Sequence, residues 1–279
     1  MLPSKTAYRA NPYHGVEPAE DSYAWKVERE IERRFSVRHA VAVNSGTAAL
    51  LCALHALGVK PGDEVITSPI TFSATAAAIV LAGGRPVFAD VDAKSFCITE
   101  RTVRRVLSRK TRAILPVHLF GRLADTDALS SLGLPVIEDA CQAVGCHRRG
   151  RYSGSFGLAG AYSFGGRKQV TAGEGGALVT NIDAVARSAR LFMNHGENFG
   201  GPVGHNFRPN ESTCKEILFG LLNLKDNTPF KRPYLVKKRR PQDKPYIDRP
   251  ITKLPAFHQY DTTPIPVATK LCEEMLCVR

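Results

Sequence analysis

The sequence has little that would set it apart from an ordinary globular protein. No apolar run in its 279 residues approaches the roughly 20 that a membrane-spanning helix needs, so no membrane segment is expected. The first twenty residues carry charges and Pro3, Pro12 and Pro18 instead of an apolar stretch, so no secretory signal is expected there. No Cys-x-x-Cys occurs. The seven cysteines are odd in number and scattered, and Cys141, Cys146 and His147 make a poor zinc pattern. Reduced thiols in a cytoplasmic protein are the better reading, with no metal site. Internal repeats are absent. A disordered composition is excluded too: hydrophobic residues are 43% and charged residues 23%, enough for one large domain, or one large and one small.

Acidic residues are in deficit. The formal net charge is +12, and residues 201–279 hold 14 Lys/Arg against 8 Asp/Glu, an excess of six and half of the total. Lys237-Lys238-Arg239-Arg240 is the densest point. An anionic partner is one reading. A solvated basic linker is the better one, because no aromatic ladder or recognition helix accompanies the cluster, and no nucleic-acid partner is expected.

What is present is an alternation of short apolar runs and helical patterns. Asp21-Ser22 reads as the cap of a helix to about Phe35, with Ala24, Val27, Ile31 and Phe35 on its buried face. Strands are expected at His39–Val43, Glu64–Thr67, Pro86–Asp90, Ala113–Val117 and Pro135–Ile137. Helices between them are expected at Ala48–Leu57, Ser73–Ala82, Glu100–Leu107 and Asp125–Leu132. This order predicts a mostly parallel sheet with ligands at the strand C-terminal ends, where Glu138 and Asp139 fall. Arg148–Arg151 reads as a hairpin loop. Strands at Gly160–Phe164 and Gly176–Thr180 flank a glycine-rich loop, and helices follow at Ile182–Met193 and Asn210–Leu222. Beyond Asn223 the pattern degrades. Residues 225–252 contain five prolines and no clear strand or helix, and a short helix is expected at Val267–Cys277.

The glycine-rich loop, Ser163 to Gly176, holds one lysine, Lys168, among five glycines. Alone it reads as a turn with a solvated lysine. Asp139 changes that. A carboxylate at a strand end and an amine on a loop beside the next strands suit pyridoxal phosphate: the lysine forms a Schiff base, and the carboxylate keeps the ring nitrogen protonated. A small-residue helix N-terminus such as Asn44–Ala48 takes a phosphate, and Phe72 offers a flat face to the ring.

The stretches Asn44-Ser45-Gly46-Thr47-Ala48-Ala49-Leu50, Pro61-Gly62-Asp63-Glu64-Val65-Ile66, Glu138-Asp139-Ala140-Cys141-Gln142-Ala143 and Gly173-Glu174-Gly175-Gly176-Ala177 carry a resemblance to the DegT/DnrJ/EryC1/StrS family. These are pyridoxal-phosphate sugar aminotransferases of the aspartate-aminotransferase fold (fold type I), an α/β class. The resemblance runs from about His39 to about Glu211. It implies that Lys168 binds the cofactor and then moves the proton, and that Asp139 pairs with the ring nitrogen. Gln142 would bond the ring hydroxyl and Phe72 would stack. Gly46, Thr47, Ala48 and Ser163 would hold the phosphate, and Asn206 would reach the partner subunit's phosphate in a homodimer with shared sites. A dehydratase branch of the family carries histidine where this chain has Lys168, which favours transamination. Glutamate or glutamine would donate the amino group to a nucleotide-linked keto sugar or a keto cyclitol, in polysaccharide or secondary-metabolite synthesis.

Two departures from the family stand out. Gly165-Gly166-Arg167 is richer in glycine than the usual residues before the lysine, and Arg167 either perturbs Lys168 or points at solvent. Family members also continue past Asn210 into a full C-terminal domain. Here Asn223–Pro245 looks like a scrambled splice, and Tyr246–Phe257 and Pro266–Glu274 resemble the family's extreme C-terminal segment. The expected organisation is therefore a cofactor-binding large domain, 1–222, and a truncated, partly irregular remnant, 223–279. An active minimal enzyme, an impaired cofactor-binding remnant or regulatory module, and a degraded gene product all remain open.

Overall fold

The computed structural model describes residues 16–224, 235–238 and 247–278. Helix α1 (Tyr23–Phe35) starts at Ser22, whose side chain accepts the Trp25 N–H, and it buries Ala24, Val27, Ile31 and Phe35 at helical spacing. Then come β1 (His39–Val43), α2 (Gly46–Ala56), β2 (Glu64–Thr67), α3 (Ala74–Leu81), β3 (Arg85–Phe88), α4 (Glu100–Arg104), β4 (Thr111–Leu115), α5 (Thr126–Ser130) and β5 (Ile137–Asp139). The short hairpin β6 (His147–Arg148) and β7 (Arg151–Tyr152) encloses the expected loop. It leads to β8 (Ala159–Ser163), β9 (Gly176–Thr180), α6 (Asp183–Met193) and α7 (Glu211–Leu222).

The strands form one layer in the order β3-β2-β4-β5-β8-β9-β1. Parallel bridges Ile114–Val136 and Val117–Asp139 join the β3-β2-β4 and β5-β8-β9-β1 parts. Strand β9 alone runs against its neighbours, and the other pairings are parallel. This is the mostly parallel α/β sheet expected from the alternation. Its strands read as nearly continuous apolar runs because they are covered on both faces: Ala40 to Val43, and Ala177 to Val179, are all buried. A buried ion pair fastens α1 to α6, with Arg190 Nη2 2.8 Å from Glu28 Oε2, and Glu28 also accepts the Ala42 N–H of β1.

The C-terminal segment differs from expectation in two ways. Strand β10 (Leu235–Lys238) lies where no strand stood out, because a Leu-Val-Lys-Lys run between prolines carries no local signal. Its pairing is with a distant strand. Helix α8 (Pro266–Glu274) stops three residues short of Cys277, and β11 (Met275–Val278) follows, antiparallel to β10. Arg239 and Arg240, like the lead-in up to Gly15, lie outside the described residues.

The segment closes on the edge of the sheet. Asp90 accepts the Val267 and Ala268 N–H groups at 3.0 and 2.9 Å, supplying an anion to the N-terminus of α8. Ile251 N–H donates to Pro69 O at 2.9 Å. Ile265, Ala268 and Cys272 share a core with Ile66, Ile98 and Ile114.

Candidate active site

Strand β1 feeds α2 through Asn44 and Ser45. Ser45 is the N-cap, and its Oγ accepts the Ala48 N–H at 3.1 Å. Gly46 and Thr47 head the first turn, where N–H groups precede any intrahelical acceptor and the dipole is positive. Gly46 is required by packing: a Cβ there would lie 2.7 Å from Cys141 Sγ and 2.8 Å from Ser163 Cβ. Gly176 is equally constrained, since its Cβ would come within 2.4 Å of the Ser45 carbonyl. The turn is thus pressed between the ends of β8 and β9, with the Ser163 hydroxyl beside it.

Asp139 closes β5 and is almost fully buried, at 4% exposure. Its carboxylate has two protein donors. Cys141 N–H donates to Oδ1 at 3.1 Å, and the Thr75 hydroxyl donates to Oδ2 at 2.7 Å. Thr75 in turn lies 2.8 Å from the Thr71 hydroxyl, one helical turn back. These two threonines were not expected in the site. Their i, i+4 spacing at a helix start is the only local signal, because Thr75 and Asp139 are 64 residues apart.

The next residue back, Glu138, faces the other way. His118 Nε2 lies 2.6 Å from its Oε2, and the N–H groups of Gly154, Phe156 and Gly157 donate to it at 3.0, 2.7 and 2.7 Å. Ala124 N–H donates to His118 Nδ1 at 3.1 Å, so the ring hydrogen is on Nε2 and points at Glu138. The His118 backbone N–H also holds the Asp139 carbonyl at 2.9 Å.

The lysine loop leaves β8 and returns as β9. Lys168 N–H donates to Gly165 O and Ala172 N–H to Phe164 O. Gly173 and Gly175 take φ of +79° and +130°, conformations open to glycine. Lys168 is half-buried, and Arg167 is exposed at the rim. Burial and the Asp139 charge push the Cys141 thiol far up, and the Lys168 charge opposes them.

These parts meet at one cavity of about 360 Å³. Of the residues expected from sequence, Gly46, Thr47, Phe72, Asp139, Gln142, Ser163 and Lys168 line it. Phe72 is 57% exposed at its mouth. Ser45, Thr71, Thr75, Cys141, Arg167 and Glu174 line it in addition. Two expected residues are elsewhere. Ala48 is in the core with its N–H taken by Ser45. Asn206 lines a neighbouring cavity of about 350 Å³ with Asn44, Arg208, Asn210 and Thr213, separated by Glu174, which borders both. Among the described residues no cluster of His, Cys, Asp and Glu is able to hold a metal ion.

The residues present fit pyridoxal phosphate. The volume suits a small cofactor. A buried carboxylate with two donors keeps lone pairs for a ring N–H, an amine faces the same space, and a helix N-terminus with an adjacent hydroxyl receives an anion.

The chain belongs to the DegT/DnrJ/EryC1/StrS aminotransferase family, whose model matches residues 20–233. It is 36% identical over 252 residues to a pleiotropic regulatory protein of Geobacillus stearothermophilus, covering 85% of this chain and 68% of that one. It is 40% identical over 192 residues to GDP-perosamine synthase of Caulobacter vibrioides, covering 64% of this chain and 52% of that one. Among solved structures, a DegT DnrJ EryC1 StrS aminotransferase from Brucella abortus superposes with a TM-score of 0.85 at 25% identity, over 98% of this chain and 87% of the other. The chain thus spans about half the length of the perosamine synthase, and the fold-type-I architecture covers nearly all of it.

Proposed function

We propose that the protein is a pyridoxal-phosphate-dependent aminotransferase that moves an amino group from glutamate or glutamine to a nucleotide-linked keto sugar or keto cyclitol. The observation that carries this reading is the convergence of Asp139, Lys168, Phe72, Ser163 and the α2 N-terminus on one cavity. Bound pyridoxal phosphate supplies an electron sink through which an amino group is exchanged between carbons. Asp139 holds a proton on the ring nitrogen by opposite-charge pairing. Lys168 anchors the cofactor, and its Nζ then carries a proton to and from the reacting carbon. Gln142 orients the ring hydroxyl and Phe72 covers one ring face. Gly46, Thr47 and Ser163 hold the phosphate in place.

A homodimer with shared sites is part of the proposal. Asn206 lies in the second cavity, away from the cofactor space of its own chain, which suits a role toward a partner's phosphate. A reducing compartment, the cytoplasm, suits the six described cysteines, all unpaired and buried. The division into a large domain, 1–222, and a C-terminal remnant belongs to the same reading, as does synthesis of polysaccharides or secondary metabolites.

A second reading is a cofactor-binding regulatory module, favoured by the chain's likeness to a protein named as a regulator. Incubation with glutamate or glutamine and a panel of nucleotide keto sugars separates the two. Release of 2-oxo acid together with an aminated sugar supports the enzyme. Cofactor binding with no 2-oxo acid from any pair contradicts it and supports the module.

A further inference from the structure

We infer that Thr75 is a positioning residue: its hydroxyl, itself held by Thr71, fixes the Asp139 carboxylate against the cofactor's ring nitrogen and ties that carboxylate to the segment bearing Phe72. The inference rests on the pyridoxal-phosphate reading of the cavity.

The hydrogen bonds have one consistent direction. A hydroxyl has a single hydrogen and accepts through its lone pairs. Asp139, ionised, only accepts, so the Thr75 hydrogen goes to Oδ2 across 2.7 Å. Thr75 then accepts from Thr71 across 2.8 Å, and the Thr71 hydrogen is the donor. Thr75 is 1% exposed and Thr71 3%, yet both line the cavity. Water therefore does not easily substitute for either hydroxyl from the bulk side. The Cys141 N–H donates to Oδ1, so both carboxylate oxygens are held by the protein and the plane of the group is set.

The placement of Thr75 in the chain gives the bond a second effect. Thr71 and Thr75 bracket Phe72 on the turn into α3, and the Thr75 N–H donates to the Phe72 carbonyl at 3.2 Å. One residue, through its backbone N–H and its hydroxyl, thereby links the residue that covers the ring face to the residue that meets the ring nitrogen. A mere core threonine would need neither a carboxylate partner nor a place on the cavity wall.

The test compares wild type with Thr75→Val, which keeps the shape and loses the hydroxyl, and with Thr75→Ser, which keeps the hydroxyl. Affinity for pyridoxamine phosphate, which has no aldehyde to react with Lys168, is measured by fluorescence, with the pH dependence of the bound ring's absorbance. Thr75→Val should bind about tenfold or more weakly, the worth of one hydrogen bond to a charged group, with a displaced pH profile. Thr75→Ser should restore both. Thermal unfolding without ligand reports any purely structural effect separately. Wild-type affinity and pH profile in Thr75→Val overturn the inference alone, as does weakened binding in both variants with an undisplaced profile. Failure of wild type to bind pyridoxamine phosphate overturns the inference together with the cofactor reading.

Discussion

His118 and Glu138 form a fully buried pair, Nε2 to Oε2 2.6 Å, directly behind the strand end that presents Asp139 to the cavity. Four donors converge on Glu138: the imidazole and three backbone N–H groups of the 154–157 turn. The carboxylate thus organises a loop and the strand at once, while its neighbour in sequence, Asp139, faces the cavity.

Glu138→Ala should therefore be among the most damaging single changes. It strands a buried imidazole N–H and three backbone N–H groups, and each buried donor left unsatisfied costs about 1–3 kcal/mol. A urea denaturation midpoint shifted by less than a typical surface substitution would contradict this account of the strand end.

Gly46→Ala should shift the phosphate turn and weaken pyridoxal phosphate binding by about fivefold or more, if the overpacking cost of about 1–3 kcal/mol falls on the turn that receives the phosphate. The added Cβ meets both Cys141 Sγ and Ser163 Cβ inside 3 Å. Adding Cys141→Ala should recover only part of the loss, since the Ser163 contact remains. Equilibrium dialysis on the single and double variants reads this out.

Phe72→Ala should separate binding from stability. The ring is 57% exposed, so its loss should leave the unfolding free energy from urea titration within about 0.5 kcal/mol of wild type. Cofactor affinity should drop about three- to tenfold, the scale of an aromatic stacking contact. Equal loss of both, or of neither, would argue against a stacking role.

His55 gives a pH dependence. It stacks on Phe192 with centroids 4.0 Å apart, and burial, then the nearby His205 charge, hold its pKa below the ordinary histidine value. The unfolded chain therefore takes up this proton at a higher pH than the folded one. Stability falls as pH drops through and below the usual histidine range. The melting temperature of His55→Gln should decline less than that of wild type between pH 7.5 and pH 5.5. Parallel declines would remove His55 as a contributor.

Much of this was legible in sequence, for identifiable reasons. Strand and helix alternation is a local pattern, so a mostly parallel sheet could be read from it, and Asp139 at a strand end and Lys168 on the glycine-rich loop could be picked out as two of the charged groups on the cavity wall. The Thr71–Thr75 link could not, because its partner is distant in sequence and threonine near a helix start ordinarily reads as a cap. Ala48, expected with Gly46 and Thr47 at the phosphate, donates its N–H to Ser45 Oγ. Strands β10 and β11 pair with each other across a long stretch of sequence, and neither announces itself alone. The helix expected to reach Cys277 ends at Glu274 because the apolar run that follows pairs as a strand.

The central claim is that Lys168 is the residue that takes the cofactor. Incubation with pyridoxal phosphate, reduction with borohydride and mass mapping of the digested chain test it most directly. The account predicts one cofactor per chain on the peptide containing Lys168, and none on that peptide in Lys168→Ala. Cofactor fixed to a different lysine, or no fixed cofactor at all in the wild-type protein, would contradict it.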